Sequence, residues 1–203
     1  GSILESYGLQ GTYFVSFGML GSMSPSGLIA SHRDLLRAVE AGHELGCHTF
    51  DHKDPWKTTP CAFEQSVHDN HRALQNLLPA TSFNSFAYPL RGPRPATKYR
   101  IGKLFACCRG GGQAFNHDFV DLNFVKAYFI DGRNRDSIDA VMRVVDKNFE
   151  FGGWLIFATH DVEDNPSIYG CTKKYFNEVV AYVVRSGSLI LPVGKACQQI
   201  HAA

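Results

Sequence analysis

Short apolar runs alternate with amphipathic stretches along the whole chain, and this pattern predicts the elements. Residues 3–9 read as the end of a helix, with Gly8 as its stop. Residues 11–17, Gly-Thr-Tyr-Phe-Val-Ser-Phe, are aromatic and β-branched without polar alternation and predict a buried strand. A loop over 21–26 follows. Ser31 and Asp34 have the spacing of a capping box, and Leu35, Leu36 and Val39 continue at helical spacing to Gly42. Residues 43–47 then form a short strand.

Thr59-Pro60 opens the next helix, with proline at its first position and Phe63, Val67, Leu74 and Leu78 on its inner face. His68 and His71 interrupt that face and are expected to be exposed or packed rather than ligands. Strands are predicted over 82–88, stopped by Pro89, over 105–108, over 124–130 and, fully buried, over 154–158. Helices are predicted over 95–104, from a cap at Asp136 through Phe149, and from a cap at Thr172 to the stop at Gly187. Residues 188–193 read as the last strand. Gly110-Gly111-Gly112 lacks the lysine context of a phosphate loop and reads as a turn. Regular alternation of strand and helix predicts an α/β fold with a parallel sheet or barrel.

Composition narrows the function classes. The 203 residues suit one domain with a sizeable core, and no repeat or linker divides them. A net charge near +1, with 19% charged residues, offers no electrostatic footprint for nucleic acid. No run approaches the length of a membrane span. The six cysteines show no C-x-x-C spacing and read as reduced and mostly buried, which favours a cytoplasmic setting. Oligomeric state is not legible.

The candidate chemistry starts at His48-Thr49-Phe50-Asp51-His52. Imidazoles four residues apart reach a common point from one turn, as two nitrogen ligands of a zinc-type ion do. A surface or capping role is the blander reading of such a pair. Polar motifs recur after the predicted strands, at 48–54, 88–94 and 160–166, and parallel barrel strands bring those ends to one face. His160-Asp161 follows an all-apolar run. It reads either as chemistry or as a strand-end histidine satisfied by backbone.

Taken together, these motifs resemble the metal-dependent polysaccharide deacetylases, the NodB-homology or carbohydrate esterase family 4 enzymes. His48-Thr49-Phe50-Asp51-His52 is similar to their His-[Ser/Thr]-x-x-His motif. Ser85-Phe86-Ala87-Tyr88-Pro89 resembles their strand-end aromatic-proline motif, and residues 155–162 their late histidine. Residues 8–15 look like the family's join from first helix to second strand.

The resemblance implies a distorted (β/α) barrel that removes N- or O-acetyl groups from an acetylated oligo- or polysaccharide. It implies zinc or a related divalent metal on His48 and His52, with Thr49 holding their loop; beside the resemblance, Asp51 or Asp54, next to the pair, is expected to lend an oxygen. His160 would be the general acid, with Asp161 orienting it or capping the loop. A backbone N–H near Tyr88 would help the oxyanion.

Three departures accompany the likeness. The family's Thr-Phe-Asp-Asp strand, source of the base and a third metal ligand, is absent from the chain, so residues 1–203 are expected to be one N-terminally incomplete domain with further residues upstream. Ala87 stands where an arginine orients the base, and Arg91 where glycine is usual; Arg109 is the candidate substitute. The aspartate-tryptophan region is not recognisable, and Asp121 is its weak candidate, better read as a cap. The rival expectation is a catalytically impaired, glycan-binding relative of the same fold.

Overall fold

The computed structural model describes residues 1–90, 92–134 and 136–202, with the side chains of His201 and Ala202 left aside. The expectation at Arg91 therefore lies outside the described residues. In chain order the elements are α1 (Ser2–Ser6), β1 (Thr12–Val15), β2 (Met23–Ser24), β3 (Gly27–Leu28), α2 (His32–Glu40), β4 (Glu44–Cys47), α3 (Pro60–Leu77), β5 (Ser85–Ala87), α4 (Pro95–Ile101), β6 (Cys107–Arg109), β7 (Tyr128–Phe129), α5 (Ile138–Glu150), β8 (Phe157–Ala158), α6 (Lys173–Arg185) and α7 (Val193–Ala202).

Strands β1, β4, β5 and β6 form a parallel sheet in that order, with Thr12 opposite Glu44 and Val15 opposite Cys47. β7 and β8 form a parallel pair. A parallel bridge from Arg109 to Val125 carries the run from β6 towards β7. Gly46 lies opposite Phe14, and a Cβ there would meet that ring at 2.5 Å, so this register requires glycine.

Period-two alternation sorts the side chains onto two faces. Val15, Leu45, Cys47, Phe86, Tyr88 and Cys108 pack outward against Leu35, Phe63, Val67, Leu74 and Ile101 of α2, α3 and α4. Tyr128 and Ile130 pack outward against Val141 and Val179 of α5 and α6. The opposite parity builds an inner cluster from Phe14, Cys107, Ala127, Phe129, Ile156 and Ala158 with Val193 and Cys197 of α7. Side chains from β1, β6, β7 and β8 thus meet on the inside of one curved wall. That is the parallel α/β layout of a distorted barrel.

Side-chain clips fix both ends of the first sheet. At the amino ends, Glu44 accepts from Thr12 Oγ1 (2.8 Å), Ser85 Oγ (2.7 Å) and the backbone N–H of Gly194 (2.8 Å), joining three strands to the start of α7. Near the carboxyl end of β1, the fully buried Asn70 of α3 accepts from Phe17 N (2.9 Å) and donates to Val15 O (2.8 Å).

Most expected elements are present, including the capping box of α2, the Thr59 cap of α3 and the Thr172 cap of α6. His68 is exposed, and His71 packs on Phe83 and Phe105. All six cysteines are free, and five of them are buried. Three expectations need correction. Ser137, not Asp136, caps α5; Asp136 instead accepts from the Tyr128 hydroxyl. The run 154–158 is only partly buried; Trp154 makes an isolated antiparallel bridge with Asn116, and strand pairing is confined to Phe157–Ala158. Residues 188–193 form no strand. Their backbone finds no neighbouring strand among the described residues, and Val193 instead starts α7 by donating its N–H to Thr12 Oγ1 at 2.8 Å.

Candidate active site

His48 follows β4 on the inward parity, one step beyond Gly46. Its Nδ1 donates to the carbonyl of Ala87 on β5 at 2.7 Å. That bond fixes the tautomer and leaves the Nε2 lone pair free. The His52 ring lies with its centroid 4.9 Å from that of His48, at 67°. Thr49 is fully buried, and its Oγ1 accepts from Lys53 N at 3.0 Å, closing the turn between the histidines. Thr49 and His52 both adopt left-handed backbone, φ 59° and 54°. Such conformations cost about 1–3 kcal/mol each and persist where surroundings enforce them.

Electrostatics keep both rings neutral. Burial holds His48 well below the ordinary histidine pKa, and the neighbouring His52 and Arg109 push the same way. Burial and then His160 lower His52. Neutral imidazole is the form that ligates a metal.

His160 follows β8 on the inward parity. Its Nδ1 and its backbone N–H both donate to Tyr169 O, at 3.1 and 3.2 Å, so Nε2 is again free. Desolvation lowers its pKa, as do Arg133 and Arg109, against the opposing pull of Asp131. Asp161 does not orient it. Its carboxylate accepts from Ser167 N (2.6 Å) and Ser167 Oγ (2.7 Å), and its carbonyl from Cys171 N (3.0 Å), which closes the loop 161–171.

Arg109, at the end of β6, also points inward. Its guanidinium lies 5.1 Å from the ring centroid of Phe14 and 5.4 Å from that of Phe129. Nη1 donates to Gly110 O at 3.0 Å, while Nε is buried without a partner. Among the described residues no carboxylate pairs with it, and burial pulls its pKa down to about 10. His52, Arg109 and His160 all act electrostatically on His48, His160 also acts on His52, and Arg109 on His160.

Tyr88 belongs elsewhere. It has outward parity with Phe86, its ring is buried among Phe86 and Phe124, and its hydroxyl lies against Cys108, where burial pushes the pKa far up. Its N–H donates to Arg109 O at 2.9 Å and is not free for an oxyanion. Asp121 caps a short 3-10 turn by accepting from Asn123 N and pairs with Lys98, away from the cluster. The acid that sequence reasoning missed is Asp131, buried two residues beyond β7, whose Oδ2 accepts from Arg133 Nε (3.0 Å) and Nη2 (2.5 Å) and whose Oδ1 accepts from Arg133 N (3.0 Å). Parity could have found it: Phe129 points in, so Asp131 does too.

The histidine pair fits two positions of a zinc-type donor set. Asp51 is committed to Ser66 Oγ (2.6 Å) and Lys53 Nζ (2.6 Å), and Asp54 accepts from Trp56 N (2.8 Å). Among the described residues no group of three His, Cys, Asp or Glu side chains is arranged to hold an ion. A third protein ligand is therefore not supplied by these side chains.

Fold and site define a carbohydrate deacetylase architecture, and comparison with known proteins agrees. The sequence model of the polysaccharide deacetylase family matches residues 2–103, and the chain belongs to that family. No curated protein sequence matches it. Among solved structures, the Xyl-CE4 domain of a multidomain xylanase from the hindgut metagenome of Trinervitermes trinervoides aligns at TM-score 0.64 and 14% identity, over 98% of this chain and 82% of that one. A family 4 acetyl xylan esterase from Clostridium thermocellum, solved with a cobalt ion, aligns at 0.63 and 17%, over 96% and 80%. A CE4-family pseudoenzyme from Bacillus anthracis aligns at 0.60 and 10%, over 97% and 58%.

Proposed function

We propose that this chain removes acetyl groups from an acetylated oligo- or polysaccharide, with His48 and His52 holding a divalent ion such as zinc and His160 donating the proton. The observation that carries the reading is the packed His48–His52 pair, with His160 acting electrostatically on both and with backbone carbonyls fixing the tautomers of His48 and His160, in a polysaccharide deacetylase fold. A bound ion would supply Lewis-acid polarisation of the acetyl carbonyl.

Ala87 O orients His48 so that its free nitrogen faces the inner side. His160, held by Tyr169 O through Nδ1–H, rests with Nε2 unprotonated; to act as the acid it takes up a proton from solvent at Nε2 and passes it to the departing amine or alkoxide. Arg109 offers an unpaired cation to the carboxylate base, a group for which the described residues have no open candidate, since Asp131 is closed off by Arg133.

Two observations favour a second reading, a glycan-binding relative with impaired turnover. The described residues lack a third ligand group, and a pseudoenzyme stands among the similar folds.

The test measures zinc content and acetate release from an acetylated chito-oligomer with full-length protein. Replacing His160 by alanine is expected to slow turnover by about two to four orders of magnitude while zinc stays at the parent level. His52→Ala should lose zinc and activity together. Parent protein that binds the oligomer but releases no acetate favours the second reading. His160→Ala protein with full turnover, or with lost zinc, removes the proton-donor role.

A further inference from the structure

Trp56 lies four residues beyond His52, on the loop that leaves the carboxyl end of β4. It is 48% exposed, yet it is held at several points. Its backbone N–H donates to Asp54 Oδ1 at 2.8 Å, and its indole Nε1 donates to Gly92 O at 2.6 Å. Arg94 hydrogen-bonds the Trp56 carbonyl and sets its guanidinium 5.4 Å from the ring centroid. Gly92 and Arg94 belong to the loop after β5, so two strand-end loops grip one indole. An exposed side chain that merely tolerates water keeps its rotamers. This one has lost them, with its N–H edge bonded and one face covered by a cation.

We infer that Trp56 is a sugar-stacking platform: its open face takes the apolar C–H face of a pyranose ring in the glycan whose acetyl group enters at the histidines. A large, rigid aromatic surface contributes contact area at little conformational cost. Leu90, 66% exposed in left-handed backbone, belongs to the same loop after β5 as Gly92 and Arg94. The occupant rests on the deacetylase family assignment, but the platform requires binding only, not turnover.

The experiment reads binding. Trp56 and Trp154 are the two tryptophans of the chain, so Trp154→Phe protein reports on Trp56 alone. Titrated with an acetylated chito-oligomer and, separately, an acetylated xylo-oligomer, its indole emission should shift and saturate with at least one of them. Calorimetry of Trp56→Ala should give affinity about tenfold weaker for that oligomer, and Trp56→Phe should recover much of the loss. Emission unchanged by both oligomers overturns the platform, as does equal affinity in Trp56→Ala. Binding through Trp56 without acetate release counts against the catalytic reading and leaves the platform standing. Acetate release with unaltered Trp56→Ala affinity does the reverse.

Discussion

The half of the chain up to Arg109 and the half beyond it solve the same problem with different means. In the first half, β1 and β4 pair over four residues each, and a dense cluster around Phe63 and Phe86 fills the space to α3. In the second half, β7 and β8 pair over two residues each, and loops carry most of the backbone. The family model matches residues 2–103, in the first half. The chemistry is divided between the halves. The histidine pair follows a long, packed strand, whereas His160 and Asp131 follow short ones and depend on Tyr169, Ser167 and Arg133 to hold position. A metal pair needs two donors fixed to a fraction of an ångström. A proton donor tolerates more freedom, because it acts once the substrate is seated.

The comparison is broken most forcefully in the cores. Phe86 is fully buried between Phe63, Tyr88 and Phe105. Its replacement by alanine should cost about 3–5 kcal/mol, transfer and cavity terms together. Val179 of α6 is 2% exposed. Val179→Ala should cost about 2 kcal/mol, at roughly 0.8 kcal/mol per buried carbon. Urea unfolding midpoints at constant slope measure both. Equal losses would mean that the second half is as tightly packed as the first.

Each half also has an asparagine clip, and these sharpen the contrast at a smaller scale. Asn70 pairs with Phe17 N and Val15 O in the interior. Asn116 exchanges bonds with Lys126 N (2.8 Å) and Lys126 O (2.9 Å) and donates to Trp154 O (3.0 Å). Lys126 is exposed, so water can satisfy the groups that Asn116→Ala would free. No such rescue reaches Val15 and Phe17, both buried. Asn70→Ala should therefore cost about 1–3 kcal/mol, the penalty of stranded buried groups, and Asn116→Ala less. A larger loss at Asn116 would reverse the order.

What could be read beforehand divides along the same line. Apolar runs and caps disclosed α2, α3, β1 and β4, since there local propensity and tertiary packing agree. The His48/His52 spacing was legible because both ligands lie on one turn. The site's other members come from separate strands, and only parity connects them. Applied to Phe129-Ile130-Asp131, alternation would have found Asp131; applied to Phe86-Ala87-Tyr88, it would have excluded the Tyr88 ring. The supposed strand at 188–193 failed for a different reason. The run ends at Val193, which packs in the inner cluster, and the backbone N–H groups of Val193 and Gly194 are held by Thr12 and Glu44 at the amino ends of β1 and β4, which no local pattern announces.

The smallest expected effect is an acid-side loss of stability shared by the halves. His48, His52 and His71 in the first half and His160 in the second all have lowered pKa values, with burial as the leading cause. In the unfolded chain each returns to about 6.5. Below that value the unfolded state binds protons that the folded state refuses, so stability falls as pH drops, while above it the slope vanishes. Asp34, Asp51 and Asp161 have lowered values too, but a carboxylate with a depressed pKa loses its contribution only near and below about 4. The window between about 6.5 and 5 therefore belongs to the histidines. Thermal midpoints of metal-free protein should decline across it. His71 isolates one contributor outside the candidate site: its Nε2 is buried without a partner, and its ring packs against Phe83 and Phe105, so His71→Phe keeps an aromatic ring there and removes the proton. That variant should show a shallower acid decline than the parent. A midpoint that holds steady or rises from pH 7 to 5 would mean that these rings accept protons in the folded state, and the neutral-imidazole reading of the site would fall with it.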